Sequence, residues 1–183
     1  MKLDFVTSNS HKYEEISHYL QERGYQCRWV RMKYEEIQAD TTEEVSMASL
    51  NALENLIDGP FFLEDTGLYI KSLNGFPGPY SSYVMKSIGN EGILKLLDGM
   101  PRDATFITVV SFRNHKGKHQ FRGECKGGIS MEMRGKSGFG YDPIFIPDGE
   151  KKTYAEMTLE EKNRNSHRIR AMESFLSYLQ EKS

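Results

Sequence analysis

Cysteine is scarce in this chain: Cys27 and Cys125 are the two present in 183 residues. One follows a helical pattern, the other sits in a strand-like run, and no CxxC spacing occurs. Neither a disulfide framework nor a structural zinc site is indicated, and a reducing cytoplasm is the default setting. Long apolar runs are also missing. No stretch approaches the length that crosses a bilayer, and Met1 to Val6 is too short for a signal peptide, being interrupted at once by Asn9, His11 and Lys12. Charge of one sign is in short supply too, since 24 basic and 26 acidic residues leave a formal charge of -2. With the signs interleaved, no global field exists to hold a nucleic-acid polymer or a membrane surface. Internal repeats and low-complexity tracts are absent. What remains is the expectation of one globular domain spanning residues 1–183.

Hydrophobic periodicity supplies the elements. Leu3 to Val6 is a short strand ended by Thr7, Ser8, Asn9 and Ser10, after which Tyr13, Ile16 and Leu20 run at helical spacing towards Gly24. A second strand is expected around Arg28 to Met32. Thr41 and Thr42 then precede Glu43 and Glu44, and Val45, Ala48, Ala52 and Leu56 form the stripe of another helix that stops at Asp58, Gly59 and Pro60. Phe61 to Leu63 reads as a buried strand ending in Glu64, Asp65, Thr66 and Gly67, followed by a Gly/Pro-rich loop from Leu73 to Tyr83. A short helix around Ile93 to Leu97 leads into strands at Ala104 to Phe112, His119 to Lys126 and Ile129 to Met133. Lys136 to Pro147 is loop-like, and Ile169, Met172, Leu176 and Leu179 mark a C-terminal amphipathic helix. The architecture implied is α/β: a mixed β-sheet flanked by helices.

Several polar clusters carry candidate chemistry, each with a plainer explanation beside it. Thr7, Ser8, Asn9 and Lys12 lie between a strand and a helix, where free backbone N–H groups and the helix dipole favour a phosphate; ordinary capping by Asn9 or Ser10 explains the same residues. Glu64 and Asp65 at a strand end suit a hard cation or an activated water, yet Asp65, Thr66 and Gly67 also spell a turn. Glu35 and Glu36 are a second acidic pair upstream. The Asp-Thr-Gly run also raises an aspartic protease, which the helical content argues against. Ser137 to Pro143 interleaves glycines with Phe139 and Tyr141 and ends near Asp142, a composition suited to stacking a base and reading its edge, or simply to a packed turn. Lys162, Ser166, His167, Arg168 and Arg170 cluster where the last helix begins; there they oppose the helix dipole unless an anion or a carbonyl faces them. His115 and His119 flank a hairpin turn without a third ligand and read as surface residues.

Taken together, the runs Thr7 to Glu15, Phe62 to Leu68, Gly75 to Ser81, Gly138 to Pro143, Thr153 to Met157, Glu161 to Asn163 and Ser166 to Arg168 resemble the inosine triphosphate pyrophosphatase family, also called Ham1. They span nearly the whole chain in the family's order. The resemblance implies an elongated mixed sheet with two lobes around a nucleotide cleft, usually in a homodimer. It implies Mg²⁺-dependent hydrolysis of non-standard purine nucleoside triphosphates such as ITP, dITP and XTP to the monophosphate and pyrophosphate. Thr7, Ser8, Asn9, Lys12 and Lys162 would hold phosphates, Asp65 would be the catalytic carboxylate assisted by Lys12, and Glu64 and Glu36 would share the metal with Asp65. Thr66, Phe139, Gly140, Tyr141, Asp142, Ser166, His167 and Arg168 would bind the substrate, chiefly its base.

The chemistry of the base agrees independently. Hypoxanthine and xanthine present an acceptor at O6 and a donor at N1–H, matching Arg or His donors and an Asp acceptor, whereas adenine reverses both groups. Two departures from the family pattern stand out: Ser8 replaces a usual glycine, and Ser49 stands where many relatives carry lysine. Two alternatives remain at this stage, a Maf-like pyrophosphatase of different base preference and a non-catalytic nucleotide sensor.

Overall fold

The computed structural model describes residues 2–34 and 36–181. β1 (Lys2–Val6) leads through α1 (Ser10–Gln21) to β2 (Gln26–Val30), and α2 (Thr42–Leu53) returns the chain to β3 (Phe61–Ile70). β4 (Pro77–Gly78), α3 (Ser81–Ser87) and α4 (Gly89–Leu96) follow, then the long hairpin of β5 (Asp103–Asn114) and β6 (Gly117–Ile129). β7 (Phe145–Pro147), α5 (Leu159–Asn165) and α6 (His167–Glu181) complete the described chain. The strands form one seven-stranded sheet in the order β2-β1-β3-β5-β6-β7, with β4 against β3. β1 runs parallel to β2 and β3 because helical crossovers join them, while the later pairs are antiparallel. This is the mixed, helix-flanked sheet expected from the periodicity.

Local chemistry accounts for the helix boundaries. Asn9 caps α1, its Oδ1 accepting from the N–H groups of His11 and Lys12. Thr41 and Glu44 form a reciprocal capping box at α2, as do Thr158 and Glu161 at α5. At the start of α6 the Ser166 Oγ accepts from the Arg168 N–H.

Strand alternation decides which residues meet on each side of the sheet. Phe62 of β3 joins Leu3, Phe5, Val110 and Phe112 beneath α1 and α6, where Ile16, Leu20, Met172 and Phe175 close that core. Phe61 and Leu63 point the other way and pack with Val6 against Leu50 and Leu53 of α2. A third cluster, around Leu68, Phe106, Ile144, Phe145 and Tyr154, holds the far end of the sheet.

Several sequence expectations need correction. β3 does not end at Glu64; it continues to Ile70, and Asp65, Thr66 and Gly67 face Val109, Thr108 and Ile107 across the ladder. The Asp-Thr-Gly run is therefore strand and not turn, which removes the protease reading. Its glycine is needed for close approach: a Cβ on Gly67 would lie 2.8 Å from both the Gly78 carbonyl and Thr42 Oγ1. The stripe of α2 runs through Val45, Ser46, Ser49, Leu50 and Leu53, leaving Leu56 exposed, because small hydroxyl residues fit where the helix sits close to β5. The segment after Ile129 is not a strand, and Met131 and Met133 lie exposed. The partner of the end of β6 is β7, within the stretch expected to be loop. The loop from Leu73 to Tyr83 likewise contains β4 and the start of α3.

Candidate active site

β3 is ten residues long, but β1 accompanies only its start, pairing at Phe61 and Phe62, and β4 only its end, at Leu68 and Tyr69. Among the described residues, the edge between them has no neighbouring strand, and the mouth of a cleft of about 360 Å³ opens there. The carboxyl end of a parallel strand meeting such a discontinuity is where open α/β sheets bind ligands. Lys12 reaches in from the first turn of α1, donating from Nζ to the free Glu64 carbonyl at 3.1 Å.

Alternation sends the adjacent carboxylates of Glu64 and Asp65 to opposite faces, and their environments diverge accordingly. Glu64 lies under α6, almost fully buried. Its Oε1 accepts from Arg168 Nε at 3.0 Å and from Thr66 Oγ1 at 2.5 Å, and its Oε2 lies 2.8 Å from Lys12 Nζ. Burial alone would raise its pKa, but Arg168 and Lys12 outweigh that and hold it well below the carboxylate range. Arg168 continues the network to Glu15, Nη1 to Oε2 at 2.5 Å, and Glu15 Oε1 accepts from Lys162 Nζ at 2.7 Å. Lys162 then donates to Asp142 Oδ2, also at 2.7 Å. The result is an alternating buried chain, Lys12–Glu64–Arg168–Glu15–Lys162–Asp142, in which every charge has an opposite neighbour. Such pairing is what permits charges to lie so deep in a fold. It also answers the question posed by cations at the start of α6: carboxylates from α1 and β3 face them.

Asp65 is compensated only in part. Burial pushes its carboxyl up to about 7; Lys12 and a hydrogen bond with Ser46 oppose the shift, while Glu36 and Glu64 add to it. Its Oδ2 is buried without a hydrogen-bond partner among the described residues. Tyr34 stands nearby, its phenol held well above its ordinary pKa by burial and then by Asp65, Glu36 and Glu64. Lys12 is raised: burial would lower it, but Glu64 and Asp65 prevail. This corner of the cleft is thus short of positive charge, and an unpartnered carboxylate oxygen faces a cation-sized deficit. No group of three His, Cys, Asp or Glu side chains converges to hold a metal among the described residues. A metal at Asp65 would need oxygen ligands from bound substrate and water, as Mg²⁺ sites commonly do.

Phe139 forms part of the cleft wall, partly exposed, its ring stacked on His11 at 5.3 Å and the cations of Lys162 and Arg168 5.2 and 5.4 Å from it. Its position is set by Asp142, whose Oδ2 accepts from the Phe139 N–H at 2.9 Å. Phe106, also in the lining, stacks on His167, with ring centroids 4.5 Å apart. His167 is held neutral, its pKa lowered by burial and then by the charges of Arg168 and Lys162.

The cleft brings together Thr7, Ser8, Asn9, Lys12, Glu36, Asp65, Thr66, Phe139, Gly140, Tyr141, Asp142, His167 and Arg168 from the sequence-predicted set. Glu64, Lys162 and Ser166 do not line it. They lie beneath, the first two as links in the charge chain and the third as the cap of α6. Glu35 lies outside the described residues. Ser49 is buried under α2, away from the cleft, with an unpartnered hydroxyl. Residues the sequence did not single out include Tyr34, Thr42, Phe106, Met85 and Lys86 in the lining, and Glu15 and Thr108 behind it. Glu15 had a signal, since three cations near one helix start demand a carboxylate partner. Thr108 had a fainter one, a hydroxyl interrupting the apolar run of β5.

Fold and cleft define an α/β protein with an interrupted sheet edge and a cleft lined by Lys12, Asp65, Phe106, Phe139 and His167. The chain belongs to the Ham1 family, whose model matches residues 3–178. It is 50% identical over 182 residues to the dITP/XTP pyrophosphatase of Thermococcus kodakarensis, covering 99% of this chain and 98% of that one. The protein of the same name from Pyrococcus horikoshii is 47% identical over 180 residues, covering 98% and 97%. A HAM1 protein from Coxiella burnetii shares the fold with a TM-score of 0.85 at 28% identity, over 99% of both chains.

Proposed function

We propose that this protein hydrolyses non-standard purine nucleoside triphosphates, dITP, ITP and XTP, to the nucleoside monophosphate and pyrophosphate. The observation that carries the reading is a buried Asp65 carboxylate, one oxygen of it without a partner among the described residues, lining the same cleft as Lys12, Phe139 and His167. The relatives' names supply the substrate class, and neither a Maf-like preference nor a non-catalytic sensor is favoured.

In this reading the base lies against Phe139, and the triphosphate follows the Thr7–Asn9 turn towards Lys12, where the start of α1 adds its positive end. Lys12 neutralises phosphate charge as it develops in the transition state. Asp65, with Glu36 beside it, would hold Mg²⁺, which when bound would polarise the phosphate oxygens and lower the pKa of a water. Asp65 would orient the attacking water or take its proton for attack at the α-phosphorus. Glu64 acts as the counter-ion that fixes Lys12 and Arg168, and Lys162 holds Asp142 and, through it, the Phe139 wall. The proposal extends to a homodimer in the cytoplasm. The free thiols of Cys27 and Cys125 fit a reducing compartment, and no helix among the described residues is long and apolar enough to cross a membrane.

Turnover of ITP in isotopically labelled water tests the reaction. The expected result is release of pyrophosphate with the label in the monophosphate, dependent on Mg²⁺ and abolished by EDTA. Orthophosphate as the first product would place the attack at the γ-phosphorus and overturn the assignment.

A further inference from the structure

One hydrogen-bonded chain joins the carboxylate floor to the base end of the cleft. Glu64 Oε1 contacts Thr66 Oγ1 at 2.5 Å, Thr66 Oγ1 contacts Thr108 Oγ1 at 2.6 Å, and Thr108 Oγ1 contacts His167 Nδ1 at 2.6 Å. Each hydroxyl has one proton to give, so the direction of the whole chain follows from its first member. Glu64 lies between Arg168 Nε at 3.0 Å and Lys12 Nζ at 2.8 Å and can only accept. Thr66 must therefore donate to Glu64, which leaves its oxygen to accept from Thr108. The longer contact from Thr108 to Glu64 Oε1, 3.4 Å, directs the Thr108 proton the same way. Were Thr108 instead to donate to His167, two hydroxyl oxygens would meet at 2.6 Å with no proton between them. The proton on the last link must come from the imidazole.

We infer that the Thr66–Thr108 hydroxyl pair holds His167 in its Nδ1–H form, presenting Nε2 to the cleft as an acceptor that reads the N1–H of a 6-oxopurine. The ring lines the cleft and stacks on Phe106, and Nε2 has no protein partner among the described residues. The sequence had offered His167 as a donor to O6, but a neutral ring that spends its proton on Thr108 has none to give. Adenine carries a lone pair at N1, so the same nitrogen would meet it acceptor to acceptor. Guanine shares the N1–H and is not rejected by this group. Thr108, fully buried on β5, is thus a positioning residue for base selection. The inference of a purine ligand rests on the proposed function; the tautomer does not.

The two parts are tested separately. In histidine labelled with nitrogen-15, two-bond proton correlations on the full-length protein without substrate identify the tautomer, and His167→Asn assigns the signal by its loss. The expected pattern at neutral pH is a protonated Nδ1 and a bare Nε2; a protonated Nε2, alone or with Nδ1, overturns the inference. Thr108→Val keeps the shape but removes the acceptor, so the ring is expected to switch to Nε2–H. The preference of kcat/KM for ITP over ATP should then narrow roughly tenfold or more, and Thr108→Ser should restore both tautomer and preference. A Thr108→Val protein whose ring has switched while its preference is unchanged would refute the reading of N1–H. If the wild-type ring is Nδ1–H but no triphosphate is cleaved, the proposed function fails and the tautomer assignment stands.

Discussion

Replacing Asp65 by asparagine should stabilise the metal-free protein while destroying its activity, and the size of the effect follows from the buried carboxyl. Its pKa rises from an ordinary 3.8 to about 7 on folding, chiefly through burial and then through Glu36 and Glu64 acting against Lys12. The folded state therefore holds a proton that the unfolded chain has already lost between those two values. Where the native state binds more protons, stability falls as pH rises, and the loss is complete once the pH exceeds the folded pKa. At 1.36 kcal/mol per pKa unit, the ionised Asp65 costs on the order of 4 kcal/mol at pH 8. The neutral amide of Asp65→Asn carries no such cost, so urea unfolding in EDTA should show the variant and wild type nearly equal near pH 4 and the variant more stable by roughly that amount at pH 8. Added Mg²⁺ should narrow the difference at pH 8 by binding the native wild-type carboxylate, and ITP hydrolysis by the variant should fall by roughly a hundredfold or more. A stability difference that is flat with pH, or equal Mg²⁺ stabilisation of both proteins, would refute the claim that Asp65 is the partly compensated, metal-seeking carboxylate.

Glu15→Gln leaves Arg168 and Lys162 sharing too little negative charge in a buried setting and should cost about 3 kcal/mol in chemical denaturation. Phe139→Ala should raise KM for ITP by roughly tenfold through lost stacking, on the order of 1–3 kcal/mol, with a smaller change in kcat. Gly123→Ala would place a Cβ 2.1 Å from the His167 carbonyl and 2.3 Å from the Ala171 nitrogen. Because both atoms are backbone of α6, the helix must move, costing about 1–3 kcal/mol in thermal unfolding and weakening base discrimination, since α6 carries His167 and Arg168.

The legibility of this molecule in its sequence varied with the physics behind each element. Helices α1 and α6 were plain because most of their buried positions are apolar, and the β5–β6 hairpin because a turn separates two strand-like runs. α2 misled because its buried face uses Ser46 and Ser49 against the sheet, so the apolar count pointed to the wrong side. β3 misled more instructively: Glu64 to Gly67 looks like a turn since such residues are polar or small, yet they continue the strand through the cleft. A strand whose middle is acidic is tolerated only where cations from α1 and α6 meet it, and no local pattern carries that information. β7 is three residues long, below what periodicity can resolve. The site residues Thr7, Lys12, Asp65, Phe139 and His167 were each ambiguous alone and converged only through the motif order, while Glu15 and Thr108 act on other side chains, and their faint signals in the sequence gained meaning only with the fold.

The central claim, that the cleft cuts a triphosphate chosen by its non-standard purine base, is tested most directly by kcat/KM for pyrophosphate release from ITP, dITP and XTP against ATP and GTP, with Mg²⁺ present. Fast release from the first three and little from ATP or GTP is the expected outcome. Comparable rates on ATP, or no cleavage of any triphosphate that binds, would contradict it.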